Sequence, residues 1–103
     1  MILGVGVDMT TVSRFERLLE RFGARFIEKV MTPAEMRRWP DADARRLAKL
    51  FSAKEAVVKA LGSGFREGVT LQTVSIEQTP LGAPAVSLSG AARAILDLSL
   101  IHI

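Results

Sequence analysis

The chain has 103 residues, of which 49% are apolar, and a net charge of +3, which suits a single domain with a modest core. It has no cysteine and one histidine, His102, so disulfides, thiolate metal sites, thiol catalysis and a multi-histidine zinc centre are excluded. Any metal is held mainly by oxygen, which favours Mg²⁺ or a similar hard cation. No apolar run is long enough to span a bilayer, and Asp8 interrupts the opening apolar stretch where a secretory signal would continue. The expectation is a cytoplasmic protein without membrane contact.

Met1 to Val7 is a short apolar run with two glycines, which reads as a buried strand. It delivers Asp8 to the strand's end, where the carboxylate either points into a crevice or caps the next helix. The spacing predicts a first helix starting near Thr11 to Ser13, with Ser13 and Glu16 as a capping box and Phe15, Leu18, Leu19 and Phe22 as its apolar stripe. Arg14, Arg17, Arg21 and Arg25 recur on an adjoining face, as either a solvated face or a docking strip for an acidic helix. Gly23 breaks or bends this helix, and Phe26, Ile27 and Val30 continue in a shorter segment. Thr32-Pro33-Ala34-Glu35 is a helix start with a Thr cap, a first-turn Pro and a Glu that closes the box. That helix ends at Trp39-Pro40, and Trp39 reads as core or interface packing.

Asp41 or Asp43 then caps a long helix that runs to Leu61. Its apolar stripe is Leu47, Leu50, Phe51, Val57, Val58 and Leu61. Glu55 and Lys59, one turn apart, share a face beside that stripe. Such a pair suits a metal-bound phosphate next to a glycine loop, and it equally suits an ordinary surface salt bridge. Lys54 falls near the apolar stripe by angle, so it either snorkels to the surface or is drawn to a ligand phosphate. Gly62 suits a left-handed cap, and Gly64 allows close backbone approach to a ligand. Beyond the loop, Val74 and Ile76, then Val86 and Leu88, alternate with polar neighbours. With the Pro80–Pro84 turn between them they predict an antiparallel hairpin with one buried face. Residues 91–96 read as a short helix. All basic residues except Arg66 and Arg93 lie between Arg14 and Lys59, which predicts an acidic partner: nucleic acid, a polyphosphate ligand or an acidic protein.

Several blocks occur together: Gly4-Val5-Gly6-Val7-Asp8, Met31-Thr32-Pro33-Ala34-Glu35, Ala53-Lys54-Glu55-Ala56, Lys59-Ala60-Leu61-Gly62, Gly64-Phe65 and Leu81-Gly82-Ala83-Pro84. In this order and approximate spacing the chain resembles the holo-acyl-carrier-protein synthases, the small phosphopantetheinyl transferases. The resemblance runs from the first residue to about Gly90. It implies an α+β fold of the 4′-phosphopantetheinyl transferase type, with a small antiparallel sheet packed against the long helix and shorter helices. It also implies transfer of 4′-phosphopantetheine from coenzyme A to a serine of apo acyl carrier protein, in service of fatty acid biosynthesis, with adenosine 3′,5′-bisphosphate as the other product.

By the same resemblance Asp8 and Glu55 are the Mg²⁺ ligands, and Glu55 and Lys59 are the catalytic residues. Lys54, Lys59, Gly62, Ser63 and Gly64 bind the co-substrate coenzyme A. Arg14, with Arg21 and Arg25 extending the strip, grips the acidic carrier protein. The short family members are homotrimers with sites at subunit interfaces. The departure lies at the end, where Leu98-Ser99-Leu100-Ile101-His102-Ile103 imitates the family's Ser-x-Ser-His-like strand only loosely and the final strand is missing. That run also resembles translated adapter sequence. The expectation is one domain over residues 1–97, incomplete at its C-terminus, followed by a doubtful, strand-like tail in which His102 has no role. Two competing readings are an inactive fragment of such an enzyme and a non-enzymatic basic module that binds nucleic acid. Against the latter, aromatic residues are sparse and no nucleic-acid-binding signature occurs, so no nucleic-acid partner is expected.

Overall fold

A computed structural model describes residues 7–62, 64–65, 68–82 and 84–94. Four helices come first: α1 (Met9–Phe22), α2 (Ala24–Val30), α3 (Pro33–Arg38) and α4 (Ala44–Leu61). A 3-10 turn (Leu71–Thr73) then leads into the strands β1 (Val74–Gln78) and β2 (Pro84–Leu88), and the backbone turns helical again over residues 90–94. The fold is α+β, as expected. The predicted first strand is outside the described residues except for Val7, as are the end of the last predicted helix and residues 98–103.

Local chemistry accounts for most of the helix boundaries. α1 begins two to four residues earlier than the Ser13–Glu16 spacing predicts, because Asp8 is the cap: its Oδ1 accepts from the Thr10 N–H at 2.9 Å. Ser13 and Glu16 therefore lie inside the helix. Gly23, at φ 56 and ψ −129, separates α1 from α2. The capping box of α3 forms as predicted, with the Thr32 hydroxyl accepting from the Glu35 N–H and the Glu35 carboxylate accepting from the Thr32 N–H. Of the two candidate caps for α4, Asp43 is the one used. Gly62 ends that helix in the left-handed region, at φ 81 and ψ 0, where any other residue would be strained.

α4 is the axis of the molecule. Its Leu47, Leu50, Ala53 and Val58 are buried, and Val12 and Phe15 of α1 pack into the same core. Phe15 stands edge-on to Phe26 of α2 and to Phe51 of α4, at centroid distances of 5.2 and 5.5 Å. β1 and β2 pair antiparallel, with Val74 opposite Leu88 and Ile76 opposite Val86. Val74 and Ile76 are buried, but Val86 is 38% exposed, so the single buried face predicted for the hairpin holds for β1 and only in part for β2. Val86 and Leu88 instead line an open hollow of about 640 Å³ between β2 and the Val57–Leu61 end of α4.

Candidate active site

Glu55 and Lys59 are both exposed on α4. With Ala56, Val58, Gly62, Gly64 and Phe65 they line one open hollow of about 620 Å³ at the helix's C-terminal end. The salt bridge that their spacing allows does not form: among the described residues the ion pair is Glu35–Lys54. Carboxylate and ammonium both line the hollow and are not paired with each other. Gly64 also has a positive φ of 60, and Phe65, 41% exposed, stacks on Phe51 at 6.5 Å with an interplanar angle of 23°. Phe65 was not predicted as a site residue. The signal in the sequence is an aromatic placed directly after Gly64. Ser63 is outside the described residues.

Asp8 does not line this hollow. It is exposed and spends one oxygen on the cap of α1, which is the local role its position allowed. Among the described residues no three of His, Asp or Glu gather into a cage for a cation.

Both expectations for Lys54 are corrected. Its side chain is fully buried, at 0% exposure. Its Nζ donates to Glu35 Oε1 at 2.7 Å, to the Val30 carbonyl at 2.7 Å and to the Leu71 carbonyl at 2.9 Å. An ammonium has three N–H donors, and all three are engaged within the protein. Nothing is left for a ligand phosphate, and the group does not reach solvent. Burial pushes the Lys54 amine below its ordinary value, while the hydrogen bond and charge of Glu35 act in the opposite sense. Glu35 is buried as well. Its Oε1 also accepts from the Thr32 N–H at 2.8 Å, and its Oε2 accepts from the Ile76 N–H at 2.7 Å. Thr32 Oγ1 meets Ser75 Oγ at 2.8 Å. In the sequence Glu35 shows only its capping role. A lysine at a buried angle on a helix that does not snorkel needs a buried acceptor, which hints at a partner without naming it.

The predicted partner strip runs from α1, which carries Arg14 and Arg21, into α2, which carries Arg25. Arg14, Arg21 and Arg25 are exposed. The Arg14 and Arg21 guanidinium groups lie over the Phe15 and Phe22 rings at 5.8 and 5.2 Å. Arg25 and Lys29 border an apolar hollow of about 320 Å³ made by Leu18, Phe22 and Phe26. Cations rimming an apolar depression form a surface complementary to an acidic, amphipathic partner.

Residues 4–100 match the family model of the 4′-phosphopantetheinyl transferase superfamily, and the chain belongs to that superfamily. The holo-[acyl-carrier-protein] synthase of Maridesulfovibrio salexigens is 45% identical to it over 93 residues, or 89% of this chain and 75% of the relative. The crystal structure of the synthase from Neisseria meningitidis aligns with a TM-score of 0.73 at 34% identity, covering 87% of this chain and 73% of that one. That of the Helicobacter pylori synthase, in complex with coenzyme A, aligns with a TM-score of 0.72 at 28% identity, covering 84% and 75%. Within the superfamily the chain is an enzyme of the holo-[acyl-carrier-protein] synthase type.

Proposed function

We propose that the chain transfers 4′-phosphopantetheine from coenzyme A to a serine hydroxyl of apo acyl carrier protein. The observation that carries this reading is the hollow in which Glu55 and Lys59 stand unpaired with each other beside the glycine-capped end of α4. In the transfer the serine oxygen bonds to the phosphorus attached to pantetheine as the bridging P–O bond of the pyrophosphate breaks. Adenosine 3′,5′-bisphosphate departs with that bridging oxygen, and the serine proton is lost to a base. Such a reaction needs neutralisation of phosphate charge more than covalent help from the protein.

Lys59 supplies a cation at the leaving phosphate. Gly62, Ser63 and Gly64 are assigned to the nucleotide part; the Gly62 N–H itself is spent on the Lys59 carbonyl at 3.0 Å, so Gly62 serves there by leaving room for a ligand rather than as a donor. By chemistry Asp8 and Glu55, both exposed carboxylates, suit a hard cation, and magnesium takes only one or two of these and completes its shell with phosphate and water; of the two, Glu55 lines the hollow. Asp8 and Glu55 would hold Mg²⁺, which, when bound, offsets the charge on the pyrophosphate oxygens. Arg14, Arg21 and Arg25 hold the acidic carrier protein at the α1–α2 surface. The same reading carries with it a homotrimer in which a neighbouring subunit completes the coenzyme pocket, a cytoplasmic location, and a role in fatty acid biosynthesis.

The test is mass spectrometry of apo carrier protein incubated with this chain, coenzyme A and Mg²⁺. The expected result is a carrier protein heavier by one phosphopantetheine, with equimolar adenosine 3′,5′-bisphosphate. No mass change at saturating metal and coenzyme would refute the reading.

A further inference from the structure

Lys54 and Glu55 are neighbours on α4 that point to different places: Lys54 into the protein and Glu55 into the hollow. We infer that the buried Glu35–Lys54 pair is a positioning device for Glu55, fixing the roll of α4 about its axis; this inference rests on the proposed reading of Glu55 as a site residue.

The Lys54 ammonium is held by three acceptors on three separate segments, namely Glu35 of α3, the Val30 carbonyl at the end of α2 and the Leu71 carbonyl of the 3-10 turn. Glu35 is itself held by the Thr32 and Ile76 N–H groups, the latter in β1. α4 is thus tied by directional bonds to α2, α3 and the 3-10 turn and, through Glu35, to β1. The apolar stripe of α4 resists lifting from the core, but packing alone is permissive about small rolls. Hydrogen bonds weaken steeply with angle and are not.

The magnitudes favour a functional consequence. A helical side chain ends about 5–6 Å from the axis, so a roll of about 10° moves the Glu55 carboxylate by about 1 Å. A displacement of that size in a reacting group costs up to about 100-fold in rate. An ion pair as such is often matched by well-packed apolar residues of similar volume; this one also satisfies the Thr32 and Ile76 N–H groups and the Val30 and Leu71 carbonyls. Directionality is what the pair adds. Glu35 and Lys54 touch neither substrate nor metal in this scheme; they act through Glu55 and, one turn further on, Lys59.

The experiment compares four proteins: the unmodified chain, Lys54→Met, Glu55→Ala and the core variant Val74→Ala. Turnover is normalised to the folded fraction by circular dichroism, well below each melting temperature. Calorimetry measures Mn²⁺ binding in the presence of coenzyme A. Lys54→Met is expected to lower kcat by about 10- to 100-fold, to weaken Mn²⁺ binding, and to leave KM for the carrier protein within about twofold, since the α1 surface is untouched. Val74→Ala, destabilised but remote from α4's outward face, is expected to keep normal kcat per folded molecule.

A Lys54→Met protein with unchanged kcat and Mn²⁺ affinity, while Glu55→Ala is inactive, overturns the positioning role and leaves the proposed function standing. Full turnover by Glu55→Ala overturns the role given to Glu55 and the positioning role with it, and absence of transfer by the unmodified chain overturns the proposed function itself. If Lys54→Met does not fold, Glu35→Gln, which keeps the volume and an acceptor oxygen, carries the same comparison with the same two outcomes.

Discussion

Glu55 can be tested without touching the fold, because it is exposed and pairs with no basic side chain among the described residues. Glu55→Ala is expected to abolish transfer and to change stability by no more than about 0.5 kcal/mol, as surface substitutions do. Glu55→Gln is expected to be nearly as damaging to turnover, because shape without charge does not hold a divalent cation. Asp8 needs a finer instrument, since it caps α1 as well. Asn caps about as well as Asp, whereas Ala costs about 1 kcal/mol. Asp8→Asn is therefore expected to melt like the unmodified protein and yet lose transfer, while Asp8→Ala loses both. Thermal melts beside the carrier-protein assay distinguish the two roles, and an active Asp8→Asn enzyme removes Asp8 from the metal site. Glu55 and Lys59 were legible in the sequence because one helical turn sets their relation. Lys54 was misread because an angle on a helical wheel says that a side chain points inward, and not what meets it there.

At the scale of elements, the boundaries fixed by local hydrogen bonds were readable: the Thr32–Glu35 box, the glycine break at Gly23 and the Gly62 cap all form where their residue types predict. The start of α1 was missed because two competent caps lie five residues apart, and only the backbone at Asp8 turns out of the helix. Gly62 supports a prediction on α4. A Cβ there would meet nothing within 4 Å, so Gly62→Ala is expected to cost only the left-handed backbone strain, about 1–2 kcal/mol, in a urea titration. A larger loss would mean that the loop beyond it is held by contacts that need the glycine. On α1, Arg14→Ala is expected to raise KM for the carrier protein several-fold at low salt with kcat little changed. That effect should shrink once the Debye length falls toward 3 Å, near 1 M salt. Kinetics at two ionic strengths decide the matter, and a defect confined to kcat and indifferent to salt contradicts a docking role.

For the whole molecule, the unit that integrates the fold is the buried pair, and it was the least legible feature in the sequence. Glu35 and Lys54 belong to separate helices, and neither helix's own pattern requires the other. Their meeting depends on how α3, α4 and β1 pack, which periodicity does not encode. Its energetic weight can still be argued. Removing one partner of a buried ion pair leaves the other charge uncompensated and costs about 3–5 kcal/mol, against a total stability for a small domain of about 5–15 kcal/mol. Glu35→Ala is therefore expected to lose a fifth or more of the stability of this 103-residue chain. Replacing both partners, as Glu35→Leu with Lys54→Met, removes the buried charges. The Thr32 and Ile76 N–H groups that Glu35 accepts from would still lose their partner, at about 1–3 kcal/mol for each buried orphan. The Val30 and Leu71 carbonyls would lose the Lys54 donor as well. The double variant is thus expected to recover only part of the Glu35→Ala loss, unlike an isolated pair whose apolar replacement is neutral. Urea denaturation of the single and double variants measures the difference. Full recovery would show that Glu35 and Lys54 answer chiefly to each other, and that the backbone donors and acceptors around them find water or new partners at little cost.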